Sequence, residues 1–186
     1  MLCMPTPEKT SLAEIVRVAR DMLEVRGLTG LTMQAVAEQV GVRSPSLYKR
    51  VEGRDGLIRL VAEATLAELT ERLRAATSLE DLAGRFRAFG HECPAAFQLV
   101  ATPGPGVPVA RQEFGAAASE PVLRWVESLA GEAQALEAAR TLTAWGVGFV
   151  SMELNHGFNL GGDVDQAWGF GVSAIVAGIR SHHPRL

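Results

Sequence analysis

"LTMQAVAEQVGVRSPSLYKR", residues 31–50, is the stretch on which the reading of the fold turns. Thr32 can cap a short helix through "MQAVAEQV", and Gly41 can end it, because glycine accepts the positive φ that other residues resist. A second helix begins at Ser44, with Pro45 at the first helical position, where a missing N–H costs nothing. Ala37 is small enough to let that helix cross closely, and Val36, Val40, Val42 and Leu47 supply a shared apolar interior. Two short helices joined by a tight glycine turn form a helix-turn-helix, whose second helix is built to enter a DNA major groove.

The chemistry of that second helix agrees. Ser44, Ser46, Tyr48, Lys49 and Arg50 lie at or near its N-terminal turns, where hydroxyls can bond phosphates or base edges. Lys49 and Arg50 bring charge, and an arginine can also grip guanine through two bonds. Thr32 and Arg54 stand at the starts of the flanking helices, where N–H groups and the helix dipole favour a phosphate. A solvated basic turn between core helices is the plainer explanation of a lone charge cluster. Glycine turn, capped starts and basic face together favour the nucleic-acid reading.

Outward from this unit the pattern stays helical. Leu12, Ile15, Val16, Ala19, Met22 and Leu23 make one apolar face of a first helix that Gly27 ends. A long helix from near Arg54 carries Leu57, Ile58, Val61, Ala62, Thr65, Leu69 and Leu73. Ser78 with Asp81 caps the next, which holds Leu82, Phe86 and Phe89 until Pro94 breaks or restarts it. "TPGPGVP" (102–108) reads as a loop, and Pro121 is expected to open another helix. Two long segments, about 132–156 and 164–180, close the chain, the second capped by Asp163 and Gln166. No strand alternation appears, so the expected fold class is all-α. It comprises an N-terminal three-helix DNA-binding unit at 8–54 and a larger helical domain at 55–186.

Composition bounds the function. The net charge is −3, yet residues 1–60 hold nine Lys and Arg against seven Asp and Glu, while residues 61–186 hold nine against fourteen. Any polyanionic partner is thereby pointed at the N-terminal third. No run reaches the roughly 18 apolar residues of a membrane span. The first ten residues lack the pattern of a secretory signal, and Cys3 and Cys93 match no disulfide or metal spacing, so a reducing cytoplasm is expected. No Gly-x-Ser-x-Gly, no His-Glu-x-x-His and no phosphate loop ending in Gly-Lys-Ser/Thr occurs, so neither an enzyme nor a cofactor is expected. His91, Glu92 and Cys93 point to different faces, and Glu153 with His156 lacks partners, so no metal is expected.

The stretch "LTMQAVAEQVGVRSPSLYKRVEGRDGLIRLV" (31–61) resembles the DNA-binding domain of the TetR family of bacterial repressors. The shared features are the Thr-capped helix, the Gly-Val turn, the Leu-Tyr pair and a basic residue opening the fourth helix. The resemblance implies a homodimer that binds a palindromic double-stranded operator and releases it when a small molecule enters the C-terminal domain. It carries DNA contact over to Thr32, Gln34, Arg43, Ser44, Pro45, Ser46, Tyr48, Lys49, Arg50 and Arg54. Arg50 departs from a common His, and Val51, Glu52 and Gly53 depart from a common Phe and small cap. "AWGVGFVSMELNHGFNLGGDVDQAW" (144–168) is similar to TetR-type C-terminal domains with a Trp-then-His-Gly motif, with Val147 where the His is usual.

In the C-terminal half, Phe86, Phe89, Phe97, Trp125, Trp145 and Phe149 are the large groups able to line a ligand cavity, or else simply fill the core. Small residues form two stripes, Thr141, Ala144, Gly148 and Ser151, then Ala167, Gly171, Ala174 and Gly178, suited to close helix approach between subunits or within one. Glycine costs a helix about 1 kcal/mol relative to alanine, so Gly171 and Gly178 need such a contact. The expected function is a one-component transcriptional regulator, most directly a repressor. The alternative is a helical adaptor whose basic turn meets an acidic protein.

Overall fold

The computed structural model describes residues 11–181; residues 8–10 of the expected N-terminal unit, 182–186 of the C-terminal one, and Cys3 lie outside them. Nine α-helices and one 3-10 turn make up the described residues, with no strand among them. They are α1 (Leu12–Gly30), α2 (Met33–Val40), α3 (Ser44–Tyr48), α4 (Gly53–Arg74), α5 (Leu79–Glu92), α6 (Pro94–Ala101), α7 (Gln112–Ala130), α8 (Ala135–Leu154) and α9 (Val164–Ser181).

Local chemistry sets most of the boundaries. Ser11, Thr32 and Ser78 accept the backbone N–H three residues on at 3.1, 3.2 and 3.0 Å, and Asp163 accepts from Asp165 and Gln166. Asp81 returns the bond of Ser78 by accepting the Thr77 N–H at 2.9 Å, satisfying a further donor at that helix start. Gly41 takes the left-handed conformation (φ 73°) as α2 ends, and the Val42 N–H closes back on the Ala37 carbonyl at 3.0 Å. Gly27 (φ 63°) breaks α1 but does not end it; one more turn runs to Gly30.

Two hydrophobic cores result. The N-terminal one gathers Ile15, Ala19 and Leu23 of α1, Val36 and Ala37 of α2, Leu47 of α3, and Leu57, Ile58, Val61 and Ala62 of α4. The C-terminal one gathers Leu69 and Leu73 of α4 with Phe89, Phe97, Val126, Val150, Trp168 and Val172. α4 therefore belongs to both, and the first half of the expected 55–186 unit contributes to the N-terminal core. Ala96 and Leu99 of α6 also enter that core, and Cys93 packs against each.

Polar ties reinforce the junction. The Glu24 carboxylate of α1 accepts the Ala95 and Ala96 N–H groups at 2.9 Å each, capping α6 from another helix. Arg20 of α1 pairs with Glu68 of α4, which also receives Arg72 at 2.7 Å; Arg72 in turn reaches Glu92 of α5. Beneath these guanidinium groups lies Phe89, fully buried, with Arg20 and Arg72 at 5.8 and 5.1 Å from its ring centre.

Pro121 corrects one expectation. It opens no helix; it sits inside α7, buried, midway between Gln112 and Ala130. A proline there forfeits a backbone bond at about 3 kcal/mol. Burial of Val122, Val126 and Ala130 in the C-terminal core holds the helix through that break.

Candidate nucleic-acid interface and interior cavity

α3 is short because its role is to present side chains from a fixed support. Leu47 is its one buried residue, 1% exposed against the cores of α2 and α4, while the next residue, Tyr48, is 60% exposed. Around Tyr48 lie Arg43, Pro45, Ser46, Lys49 and Arg50, all exposed, with Ser44 half-buried at the helix start. Thr32 and Gln34 are exposed at the first turn of α2. The Thr32 hydroxyl is occupied as the cap of α2, and the Gln34 amide donates to Glu38 at 3.0 Å, one turn along. On α3 and the start of α2 the exposed side chains thus carry hydroxyl, phenol, ammonium and guanidinium groups, the chemistry that meets a polyanion.

Arg54 has partners within the chain as well. Its Nε donates to the Leu31 carbonyl at 2.8 Å and its Nη2 to the Leu28 carbonyl. These bonds to carbonyls at the end of α1 tie α4 to α1, while the Arg54 side chain stays exposed. That tie does not displace the phosphate contact expected of this exposed residue.

The C-terminal helices enclose a cavity of about 280 Å³ between α4, α5, α6, α7 and α8, closed on one side by Trp168 of α9. Of the six expected aromatic liners, Phe86, Phe97 and Trp145 face it. Phe89, Trp125 and Phe149 do not. Phe89 fills the core, Phe149 stacks among Trp145, Phe158 and Trp168 at centroid distances of 4.7–5.3 Å, and Trp125 packs against the C-terminal core with its indole N–H buried and unpartnered. Sequence reasoning missed Trp168, whose ring lies 4.7 Å from that of Trp145 and which lines the cavity from α9. A cleft of about 370 Å³ shares Leu66, Val100, Gly115 and Ser119 with the cavity and is lined by residues of the 103–112 connection, so it adjoins the cavity in the position of a vestibule.

At that vestibule's rim, Arg111 is bound to Glu63 of α4, Nε to carboxylate at 2.8 Å and Nη2 at 3.2 Å. The hydrogen bonds from Arg111 hold the Glu63 carboxyl below its ordinary value of 4.5, against the burial that would raise it. Deeper in the C-terminal half, burial pushes Glu153 up, but Arg87 at 2.5 Å and His91 at 3.1 Å outweigh it and hold the carboxyl low. Among the described residues, no group of three or more His, Cys, Asp or Glu is placed to hold a metal ion, and no helix is long and apolar enough to cross a membrane.

The two small-residue stripes fare differently from one another. Thr141, Ala144 and Gly148 are exposed and Ser151 half-buried on α8; Ala167 and Ala174 are exposed on α9, where Gly171 and Gly178 are half-buried. Space for a β-carbon is open at Gly148 and Gly178. Gly171 is different: its close contact is with Trp145 of the same chain, which accounts for the glycine without a second subunit.

Known proteins match both halves. Residues 15–61 match the family model of bacterial regulatory proteins of the tetR family, and residues 79–175 match that of the tetracyclin repressor-like C-terminal domain. An HTH-type transcriptional regulator of Mycobacterium tuberculosis, Rv0681, is 33% identical over 162 residues, covering 80% of this chain and 72% of that protein. The class A tetracycline repressor from transposon 1721, in Escherichia coli, is 41% identical over 54 residues, 29% of this chain and 25% of its own. Among solved structures, the Streptomyces coelicolor regulator SCO7222, a TetR, superposes with a TM-score of 0.73 at 19% identity, covering 94% of this chain and 99% of that one. A variant TetR from Acinetobacter baumannii AYE, solved with minocycline, gives 0.69 at 22% identity, covering 95% and 99%. With the helix-turn-helix, the all-α C-terminal domain and these matches in hand, the chain belongs to the TetR family of transcriptional regulators.

Proposed function

We propose that this regulator is a homodimeric repressor, acting by binding alone in the cytoplasm, that occupies an inverted-repeat operator and leaves it when a small molecule fills the interior cavity. The observation that carries the reading is the pairing of buried Leu47 with exposed Tyr48 and Lys49, a rigid mount presenting a polar, basic helix end. DNA contact is assigned to Thr32, Gln34, Arg43, Ser44, Pro45, Ser46, Tyr48, Lys49, Arg50 and Arg54. The dimer is assigned to α8 and α9, whose exposed Ala144, Gly148, Met152, Ala167, Phe170 and Ala174 form a largely apolar face. Two such helices from each subunit make a four-helix interface. A ligand that favours one subunit arrangement over another changes the spacing of the two α3 helices and so their fit to successive major grooves.

Selection of bound sequences from random duplex DNA tests this. An enriched inverted repeat, with affinity falling steeply as salt rises, is the expected result. Enrichment of no two-fold motif would overturn the dimeric-operator reading. A reporter carrying the selected repeat between promoter and gene then separates repression from activation.

A further inference from the structure

The cavity wall is chemically one-sided, and that limits what it can hold. None of its lining residues is Asp, Glu, Lys, Arg or His; its polar side-chain atoms are the Ser119 and Thr143 hydroxyls and the indole nitrogens of Trp145 and Trp168. On the surrounding helices, the buried carboxylates of Glu153 and Glu63 are already engaged by Arg87 and Arg111. An ionised group entering from water would shed its hydration and meet no counter-charge.

Size and shape narrow the choice further. At about 280 Å³ the cavity is roughly twice the 150 Å³ apolar cavity that takes up benzene, which is room for two fused rings. Its wall is rich in aromatic rings: those of Trp145 and Trp168 lie 4.7 Å apart at 30°, and Phe86 stands edge-on to Phe97 at 5.3 Å. Planar molecules stack or abut such walls favourably. Ser119 donates its hydroxyl hydrogen to the Gly115 carbonyl at 3.0 Å, so what it offers a ligand is acceptor capacity.

We infer that the effector is an uncharged, planar, two-ring-sized molecule carrying a single O–H or N–H donor that reaches Ser119, and that carboxylates, ammonium ions and polyols are rejected. This rests on the reading of the cavity as the effector site.

Calorimetry on the full chain at neutral pH, with 2-naphthol and indole against 2-naphthoate and 2-naphthylmethylammonium, tests it. The neutral pair should bind at least roughly a hundredfold more tightly than the charged pair. They should also change tryptophan emission, since two of the chain's three tryptophans line the cavity. Gly115→Leu should abolish 2-naphthol binding with helical circular dichroism kept, because a β-carbon at Gly115 meets nothing within 4 Å and the side chain grows into the cavity. Ala118→Leu is a second filling variant should the first not fold. Charged probes binding as tightly as neutral ones, no heat from either neutral probe, or undiminished 2-naphthol binding in the filled variants would each overturn the inference. 2-Naphthol that binds in the cavity yet leaves the operator complex intact upholds the ligand class and overturns release by effector.

Discussion

Gly171 of α9 is pressed against Trp145 of α8: a β-carbon added to Gly171 would stand 2.2 Å from the indole ring. No atom pair tolerates that distance, so any side chain at this position must push the indole out of the cavity wall. Gly171→Leu should cost about 1–3 kcal/mol by overpacking. A drop of several degrees in the melting temperature, together with altered tryptophan emission, is the expected outcome. An unchanged melt would show that the two helices separate more readily than their packing suggests.

Gly148 offers the cleaner probe of subunit contact. It is exposed on α8, and a β-carbon there meets nothing within its own chain. Gly148→Arg should leave the monomer fold intact, since a helix gains by losing glycine, while placing two like charges in the proposed interface. Sedimentation should shift to the monomer, and operator binding should fall with it. A dimer that persists and binds DNA would remove α8 from the interface.

On the DNA side, residues close together in α3 and at the start of α4 should fall into two classes. Tyr48→Ala and Lys49→Ala should weaken operator binding with the melt unchanged, and Lys49→Ala should lower the salt slope by about one. Leu47→Ala should cost about 2–5 kcal/mol of stability, because that side chain is buried. Arg54→Ala should also lower stability, by about 1–3 kcal/mol, through the two carbonyl bonds it gives up. Electrophoretic titration across several salt concentrations, beside thermal melts, separates the two classes.

The Arg111–Glu63 pair predicts a pH response. Its carboxyl is depressed in the folded chain, so its contribution to stability is complete above 4.5 and is lost as pH falls through the lower folded value. Arg111→Ala removes the side-chain bonds, the largest depressing cause, leaving burial opposed only by the residue's backbone N–H and the charge of Arg59, so the carboxyl rises. The acid limb of the stability–pH curve should therefore move to higher pH. Glu63→Gln, which cannot ionise, should remove that limb's dependence on this site in either background. Melts between pH 3 and 7 would read the shift, and an acid limb that does not move would exclude the pair from the stability of the vestibule rim.

How far the sequence could be read depended on whether the deciding partner lay nearby in the chain. Thr32, Gly41 and Leu47 could be placed because a cap, a turn and a helix face are settled within a few residues. The same holds for Ser78 with Asp81 and for Asp163. Arg54 could be read only as a phosphate ligand, because the Leu28 and Leu31 carbonyls it also reaches lie more than twenty residues back. Pro121 looked like a helix start because its local cost is visible in sequence, while the burial that offsets it is not. Phe86 and Phe89 lie three residues apart on one helix, yet one faces the cavity and the other lies under Arg20 and Arg72. Composition and spacing could not divide them; only the path of α1 and α4 does.

α4 lends side chains to both hydrophobic cores, and the consequence is one of cooperativity. Melting either core takes Leu57 and Ile58, or Leu69 and Leu73, from a single continuous helix and so exposes an edge of the other. The two halves should unfold in one transition, not two, with calorimetric and van't Hoff enthalpies equal. Any molecule that settles in the C-terminal cavity then adds its binding free energy to the endurance of the DNA-reading helices as well. Amide protons of α2 should exchange more slowly in its presence, even though no part of it touches them.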